Sequence, residues 1–456
     1  MDAKDRVKAV LAAGFRDITP EDMILKRHIL NILIAVFERF GFEPFDSSTV
    51  QYLSTLFGAE EKTDMQFFKV ENTFHPEEGE RPKLGLRFDL TVALGRFVAA
   101  YYEKLPRPFM RYQIAQVFRG ETPSATRFCE FTQCDVDSVF APGMMSDAQI
   151  IALMDECMRA LGINTHLVLL NNRKILDGLP EYVKFPARYL QAVLTVLDKK
   201  DKLKPEETLE GELAKIERED YAILLNEAQI VKLVEFCNIT GSNVERFAAI
   251  RTILAGSAVA EQGCCELEEI MRYLDLFGVE KSRILIEPSM VRGLGYYTGP
   301  IFETILTDSP ETGSIFSGGR YDNLTDRFVE MPAPATGASF GIDRFMVYAK
   351  KKGLFTLPKS VAQVLVAYRP SAGCRERAIE VAQGFRLTAR NVMLYDGAES
   401  GLREQLGRAN MLGIPFVVII GESELANGTV TLKDMTTGKQ GPITVDWNIE
   451  KLSQGK

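Results

Sequence analysis

The sequence predicts an α+β protein: a β-rich part flanked by helices, a helical stretch inserted into it, and a smaller α/β unit at the C-terminal end. Three observations carry this. Two β-prone runs, one closing on VFRGE and one opening on RFCEFTQ, are separated by a short polar stretch holding Thr122, Pro123, Ser124 and Thr126, which reads as the loop of an antiparallel hairpin. Residues from about 173 to 280 are mostly helical in pattern and rich in charge. Beyond the linker-like KKGLFTLPKS, strand and helix patterns alternate.

The elements follow in order. GFRDITPEDM opens a helix: Thr19 can cap it, Pro20 suits the first helical position, and Glu21 and Asp22 complement the helix dipole. Ile24, Leu25, Ile29, Ile32, Leu33, Val36 and Phe37 form its apolar stripe, and Gly41 closes it. GFEPFDSS reads as a strand and turn, and residues 66–88 as β-rich around the acidic turn HPEEGERPK. After the central hairpin, Ser146 and Gln149 make a capping box. The helix it opens carries Ile150, Ile151, Met154, Cys157, Met158 and Leu161 on one face and ends at Gly162. HLVLL is a short buried strand. RILIEPSMVRGLGYYTGPIFETILTD returns to strand character, SIFSGGRYDN gives a strand and a Gly-Gly turn, and ATGASFGIDRFMVYAK gives a glycine-rich strand with a helix opening near Asp343 and Arg344. In the C-terminal part VAQVLVAY, NVMLY and PFVVIIGE are strands, CRERAIEVAQGF and LREQLGRANMLG helices, and TVTLKDMTTGKQGPITV a hairpin.

Length and composition bound the function. At 456 residues the chain has room for more than one domain, and 46% apolar with 25% charged residues is the balance of a globular protein. The opening MDAKDRVKAVLAAG has no apolar signal core, and no apolar run reaches membrane-spanning length. With seven scattered cysteines this gives the expectation of a cytoplasmic protein with free thiols. His28, His75 and His166 lie far apart with no partner at ligand spacing, so no structural zinc site is expected. A net charge of −8 does not suggest bulk attraction to nucleic acid; such a partner would need local basic patches.

The stretch Leu86–Asp137 concentrates the chemistry. Charges sit inside otherwise apolar, β-prone runs: Arg87 and Asp89 in LRFDLT, Arg119 and Glu121 in VFRGE, Asp135 and Asp137 in CDVD. A charge beside a core is costly unless paired, so these groups either neutralise one another or surround a polar ligand. A hairpin with Arg at the end of one strand and Arg, Phe and Gln on the other could hold a nucleotide, with Arg on phosphate and Phe131 stacked on a base. The same pattern also suits an edge hairpin with surface salt bridges.

FRGE followed by R-F-x-x-F resembles motif 2 of class II aminoacyl-tRNA synthetases, and the flanking LRFDLT and EFTQCDVD resemble the histidyl-tRNA synthetase form of it. The helix ending at Gly41 with the following strand is similar to motif 1, and ATGASFGIDRF to motif 3. The pair R-G-L-x-Y-Y-T-G and G-G-R-Y-D resembles the two signature peptides of histidyl-tRNA synthetases. The resemblance covers nearly the whole chain. It implies a class II antiparallel β-sheet catalytic core at 1–172 and 281–352, a helical insertion at 173–280, and an α/β anticodon-binding domain at 359–456.

It further implies two steps: the carboxylate of L-histidine attacks the α-phosphorus of ATP, with Mg2+ bridging the phosphates, and the histidyl group then passes to tRNA(His). A homodimer is implied by motif 1. By the same resemblance Arg119 holds the α-phosphate, Glu121 accepts from the adenine amino group, Phe131 stacks on the ring, Arg344 covers its other face, and Arg127 reaches the outer phosphates. Arg292, with Arg119, is the catalytic arginine against the reacting carboxylate and phosphate. Asp89, Thr91, Gln133 and Asp137 match the positions for the amino acid's ammonium, Leu90 belongs with them to the histidine-binding set, and Tyr296, Tyr297 and Tyr321 wall the imidazole slot. No protein metal-ligand set is assigned. Two departures stand out: Gly295 replaces the usual aspartate of R-G-L-D-Y-Y, and Cys129 lies where an arginine is common. The competing readings are the synthetase-like regulatory subunit of ATP phosphoribosyltransferase, which shares the catalytic fold but does not charge tRNA, and a non-catalytic tRNA-sensing module.

Overall fold

The computed structural model describes residues 7–57, 67–71, 83–123, 128–200, 203, 206–218, 223–291, 297–396 and 401–444. The chain forms two compact units, Met1–Arg16 with Ile29–Lys352, and Asp17–His28 with Gly353–Lys456. In chain order the strands of the first are β1 (Glu43–Pro44), β2 (Val50–Tyr52), β3 (Lys69–Val70), β4 (Leu84–Leu86), β5 (Phe109–Phe118), β6 (Glu130–Val139), β7 (His166–Asn172), β8 (Ile284–Ile286), β9 (Pro300–Leu306), β10 (Phe316–Tyr321) and β11 (Ala335–Phe340). Among the described residues eight of them make the main sheet, ordered β1-β5-β6-β11-β10-β9-β7-β8, and β2-β4-β3 make a small one. The main sheet is antiparallel at its centre, and the edge pairs β1–β5 and β7–β8 are parallel.

Helices close the back of this sheet. Met144–Ala160 buries Ile150, Ile151, Met154, Cys157 and Met158 completely, and Ala258–Leu276 packs against it. Gly162 ends the first of these in a left-handed conformation, as expected. Its start differs from the expected capping box. The helix begins at Met144 behind Gly143, with no side-chain cap, and Gln149 Nε2 instead donates to the Phe40 carbonyl at 3.3 Å. A tertiary partner outcompetes the local cap.

The Gly-Gly turn expected in SIFSGGRYD is not a turn. Gly318 and Gly319 lie inside β10, where neighbours leave no room for a Cβ: one on Gly318 would sit 2.2 Å from the Gly337 carbonyl, one on Gly319 2.7 Å from that of Pro300. LRFDLT is likewise not one strand. The chain leaves β4 at Leu86, and Asp89 caps the helix Leu90–Ala100, its carboxylate accepting from the Thr91 amide at 2.8 Å.

In the second unit the strands are β12 (Val364–Tyr368), β13 (Val392–Leu394), β14 (Phe416–Ile420), β15 (Thr429–Asp434) and β16 (Gln440–Thr444), ordered β13-β12-β14-β15-β16. The first three are parallel and β15–β16 is the expected hairpin. Alternation along β12 sends Val364, Val366 and Tyr368 to one core, with Ala378, Val381 and Ala382 of the helix Cys374–Leu387. Leu365 and Ala367 go to the other, with Ala409 of the helix Leu402–Met411. The short helix Glu422–Asn427 carries no apolar period and was not expected from the sequence.

Candidate functional site

Strand register decides which side chains share a face. Arg111 of β5 lies opposite Asp137 of β6, which pairs with Gly337 of β11 and, beyond it, Gly319 of β10. Two residues along, the row reads Gln113, Asp135, Ser339, Ser317 and Glu303. Residues two apart point the same way, so both rows stand on one face of the sheet. Five polar groups in one row across five strands is costly in a core and is the arrangement expected where a polar ligand sits.

On that face lies a cavity of about 460 Å³ lined by Arg119, Glu121, Phe128, Phe131, Gln133 and Arg344, with Ser317, Ser339 and Asp343 among its other walls. Arg119 sits just beyond the end of β5. Its Nε donates to the Phe88 carbonyl at 3.1 Å, its Nη2 is 3.6 Å from Asp89 Oδ2, and the guanidinium carbon is 5.0 Å from the centre of the Phe131 ring. Arg344, in the first turn of the helix Ile342–Lys352, is exposed and donates to the Ser314 carbonyl. Three residues given ATP roles by resemblance together with Arg119 therefore surround one space. Arg127 lies outside the described residues, as do Arg292, Gly295 and Tyr296.

Beside the cavity is a buried carboxylate cluster. Asp89 Oδ2 accepts from Gln133 Nε2 at 3.1 Å, and Gln133 Oε1 in turn takes the Leu90 amide at 3.2 Å. Asp137 is 3% exposed, with Arg111 Nη2 2.8 Å from one oxygen and the Tyr321 hydroxyl donating to the other. Burial raises the pKa of Asp137, opposed by Arg111 and that hydroxyl. It raises that of Asp135 too, aided by the charge of Asp89 and opposed by Arg111. Tyr297 is held well above the ordinary phenol range by burial and by Asp89, Asp137 and Asp135, so its hydroxyl stays protonated. Tyr321 is 3% exposed and packs its ring with Leu94, Val98 and Val139, so it serves both core and site. Thr91 and Tyr321 also line a neighbouring cavity of about 280 Å³ with Asn323 and Arg327.

Not every charge of the central stretch belongs here. Arg87 is turned away, with its Nε on the Gln116 carbonyl at 2.9 Å and its Nη1 3.4 Å from Asp46; it ties loops and strands together. Sequence reasoning gave Asp135 no site role and passed over Arg111, Gln113, Ser317, Ser339 and Glu303. The period-2 alternation of Gln133, Asp135 and Asp137 was a readable signal for the first of these. Arg111 needed the register, because its partner is 26 residues away across the hairpin.

The sheet and its cavity have the form expected of class II aminoacyl-tRNA synthetases, and comparison with known proteins narrows the class. Residues 14–345 match the family described as Histidyl-tRNA synthetase, and residues 363–454 the one described as Anticodon binding domain. The chain is 35% identical over 454 residues to the histidine–tRNA ligase of Gloeobacter violaceus, covering 94% of this chain and 95% of that one. It is 33% identical to that of Clostridium acetobutylicum, over 97% and 99% of the two chains. The crystal structure of histidyl-tRNA synthetase from Nostoc sp. PCC 7120 superposes with a TM-score of 0.80 at 29% identity, over 98% of this chain and 100% of that one. The chain belongs to the histidyl-tRNA synthetase family. The crystal structure of an ATP phosphoribosyltransferase regulatory subunit/histidyl-tRNA synthetase from Bacillus halodurans shares the fold at 20% identity, with a TM-score of 0.71 over 91% of this chain and 98% of that one.

Proposed function

We propose that the chain ligates L-histidine to tRNA(His) in two steps, through histidyl-adenylate, consuming ATP and releasing pyrophosphate and AMP. Membership of the family over nearly the whole chain supports the activity. The observation that carries the site is the cavity walled by Arg119, Glu121, Phe131 and Arg344 next to the hydrogen-bonded cluster of Asp89, Gln133, Asp137 and Tyr321.

In this reading the adenine lies between Phe131 and Arg344, with Glu121 at its amino group, and Arg119 meets the α-phosphate. Arg127 would reach the outer phosphates. The ammonium of histidine meets Asp89, Thr91, Asp137 and the Gln133 amide oxygen, with Leu90 between Asp89 and Thr91 in the chain. Tyr296, Tyr297 and Tyr321 wall the imidazole slot, which would reject analogues lacking ring nitrogens. The chemistry needs alignment and charge neutralisation more than a protein base. In the same reading Mg2+ would enter on the triphosphate and be held by few protein oxygens. When bound it would neutralise phosphate charge.

The domain limits 1–172 with 281–352, 173–280 and 359–456 belong to the same reading, as does a homodimer built on the helix Pro20–Arg39 and β1. Among the described residues no helix is long and apolar enough to cross a membrane. The test is histidine-dependent ATP–pyrophosphate exchange followed by charging of tRNA(His). Histidine binding without exchange would favour the regulatory-subunit reading. Arg292→Ala should all but abolish exchange while the protein stays folded, a rise of about 3–4 kcal/mol in the barrier; wild-type exchange in that variant would remove Arg292 from the mechanism.

A further inference from the structure

Cys129, the departure from the family's usual arginine, lies against the N-terminal segment. Its amide donates to the Gly14 carbonyl at 2.8 Å. Gly14 has φ +84°, and a Cβ there would stand 2.3 Å from Cys129 Sγ and 3.3 Å from Pro123. The contact therefore requires glycine at 14. Phe15 follows with its ring edge-on to Phe68, centroids 5.7 Å apart.

Arg16 comes next and touches two separate walls of the cavity. Its guanidinium carbon is 4.0 Å from the centre of the Phe128 ring, at the start of the returning arm of the hairpin. The same guanidinium donates to Asp343 Oδ1, at the start of the helix that carries Arg344. The other oxygen of Asp343 accepts the Thr132 amide at 3.1 Å. Phe128 and Asp343 both line the cavity, whereas Arg16 stands behind them. One planar cation thus joins the hairpin, which supplies Glu121 and Phe131, to the helix start, which supplies Arg344.

We propose that Gly14–Arg16 is a clasp on the cavity and that Arg16 is a positioning residue for ATP: it fixes the spacing between the two walls that hold the nucleotide. The proposal rests on the cavity being the ATP site. A planar guanidinium can stack on a ring and pair with a carboxylate at once; an ammonium does these less well together. Asp137 in the histidine set has a support of its own in Arg111, which the clasp does not touch, so the effect falls on ATP.

The experiment is histidine-dependent ATP–pyrophosphate exchange on the full chain, with KM measured for each substrate and melting temperature measured without ligand. Arg16→Met should raise KM for ATP about five- to tenfold, with KM for histidine within about twofold of wild type. Arg16→Lys should fall between the two, because it keeps the ion pair and loses the stacking. If Arg16→Met does not fold, Arg16→Lys and Phe128→Leu decide: each should raise KM for ATP alone, and the double variant should be no worse than the more impaired single one. An ATP KM within about twofold of wild type in the folded variants overturns the clasp. So does a joint rise of both constants with a fall in melting temperature, which marks general loosening. Wild-type protein that neither binds ATP nor exchanges pyrophosphate overturns the ATP reading of the cavity, and the clasp with it.

Discussion

Arg111 heads the largest fully buried side chains among the described residues, and the reason lies across the hairpin. It stands between Asp137 at 2.8 Å and Gln113 Oε1 at 3.4 Å, and Gln113 is itself held by Asp46 at 2.7 Å. Removing one member of a buried pair leaves an uncompensated charge, so Arg111→Met should destabilise the protein by about 3–5 kcal/mol, read by denaturant titration. The pH dependence follows from sign. Asp135 and Asp137 have raised native pKa values, so their contribution to stability is present below about 3.9, the unfolded carboxyl value, and is lost as pH rises through the native ones. Binding runs the other way, because only the ionised carboxylates attract an ammonium. KM for histidine should therefore fall as pH rises through their ionisation, and Arg111→Met should move that fall to higher pH. A profile that does not move would separate Arg111 from the histidine pocket. Gly337 belongs to the same unit: a Cβ there would stand 2.1 Å from Asp137 Oδ1 and 2.6 Å from the Val136 carbonyl. Gly337→Ala should cost about 1–3 kcal/mol and weaken histidine binding, which calorimetry on the folded variant measures.

At the scale of elements, Asp89 shows how one residue serves a helix and a site together. Its Oδ1 caps Leu90–Ala100, and its Oδ2 faces Gln133 and Arg119. The two roles separate chemically, since asparagine caps a helix about as well as aspartate but carries no charge. Asp89→Asn should stay within a few tenths of a kcal/mol in stability while KM for histidine rises at least about tenfold. Asp89→Ala should add about 1 kcal/mol of destabilisation. Equal histidine KM values for Asp89→Asn and wild type would leave Asp89 a cap alone. The helix Pro20–Arg39 is the simpler case. Thr19 accepts the Asp22 amide at 3.3 Å, Ile29, Leu33, Val36 and Phe37 are fully buried, and each was readable from periodicity and cap chemistry.

For the whole molecule, a chain of net charge −8 must meet a polyanion through local basic surface, so contacts with tRNA should weaken steeply with salt. In the charging reaction, KM for tRNA should rise at least about tenfold between about 50 and 200 mM salt. The ATP and histidine constants from pyrophosphate exchange should change little over the same range. Salt-insensitive charging would argue against a phosphate-reading surface. The alternation of strand and helix after Gly353, the apolar stripes, and the glycines that end helices were all legible before any coordinates, because periods of 2 and 3.6 and a left-handed φ are local properties. Of the residues around the cavity, the hairpin's Arg119 and Phe131 were legible from residue type, and Arg344 only through resemblance. Their number and type are given by the sequence, but not that Arg119, Phe131 and Arg344 share one space. Three things were decided by the tertiary structure: Gly318 and Gly319 lie within a strand, Arg87 turns away from the polar face of the main sheet, and Arg111 stands on it. Each depends on which backbone or carboxylate a neighbouring strand brings opposite, and register across a sheet is set by many distant pairs at once, which no local stretch encodes.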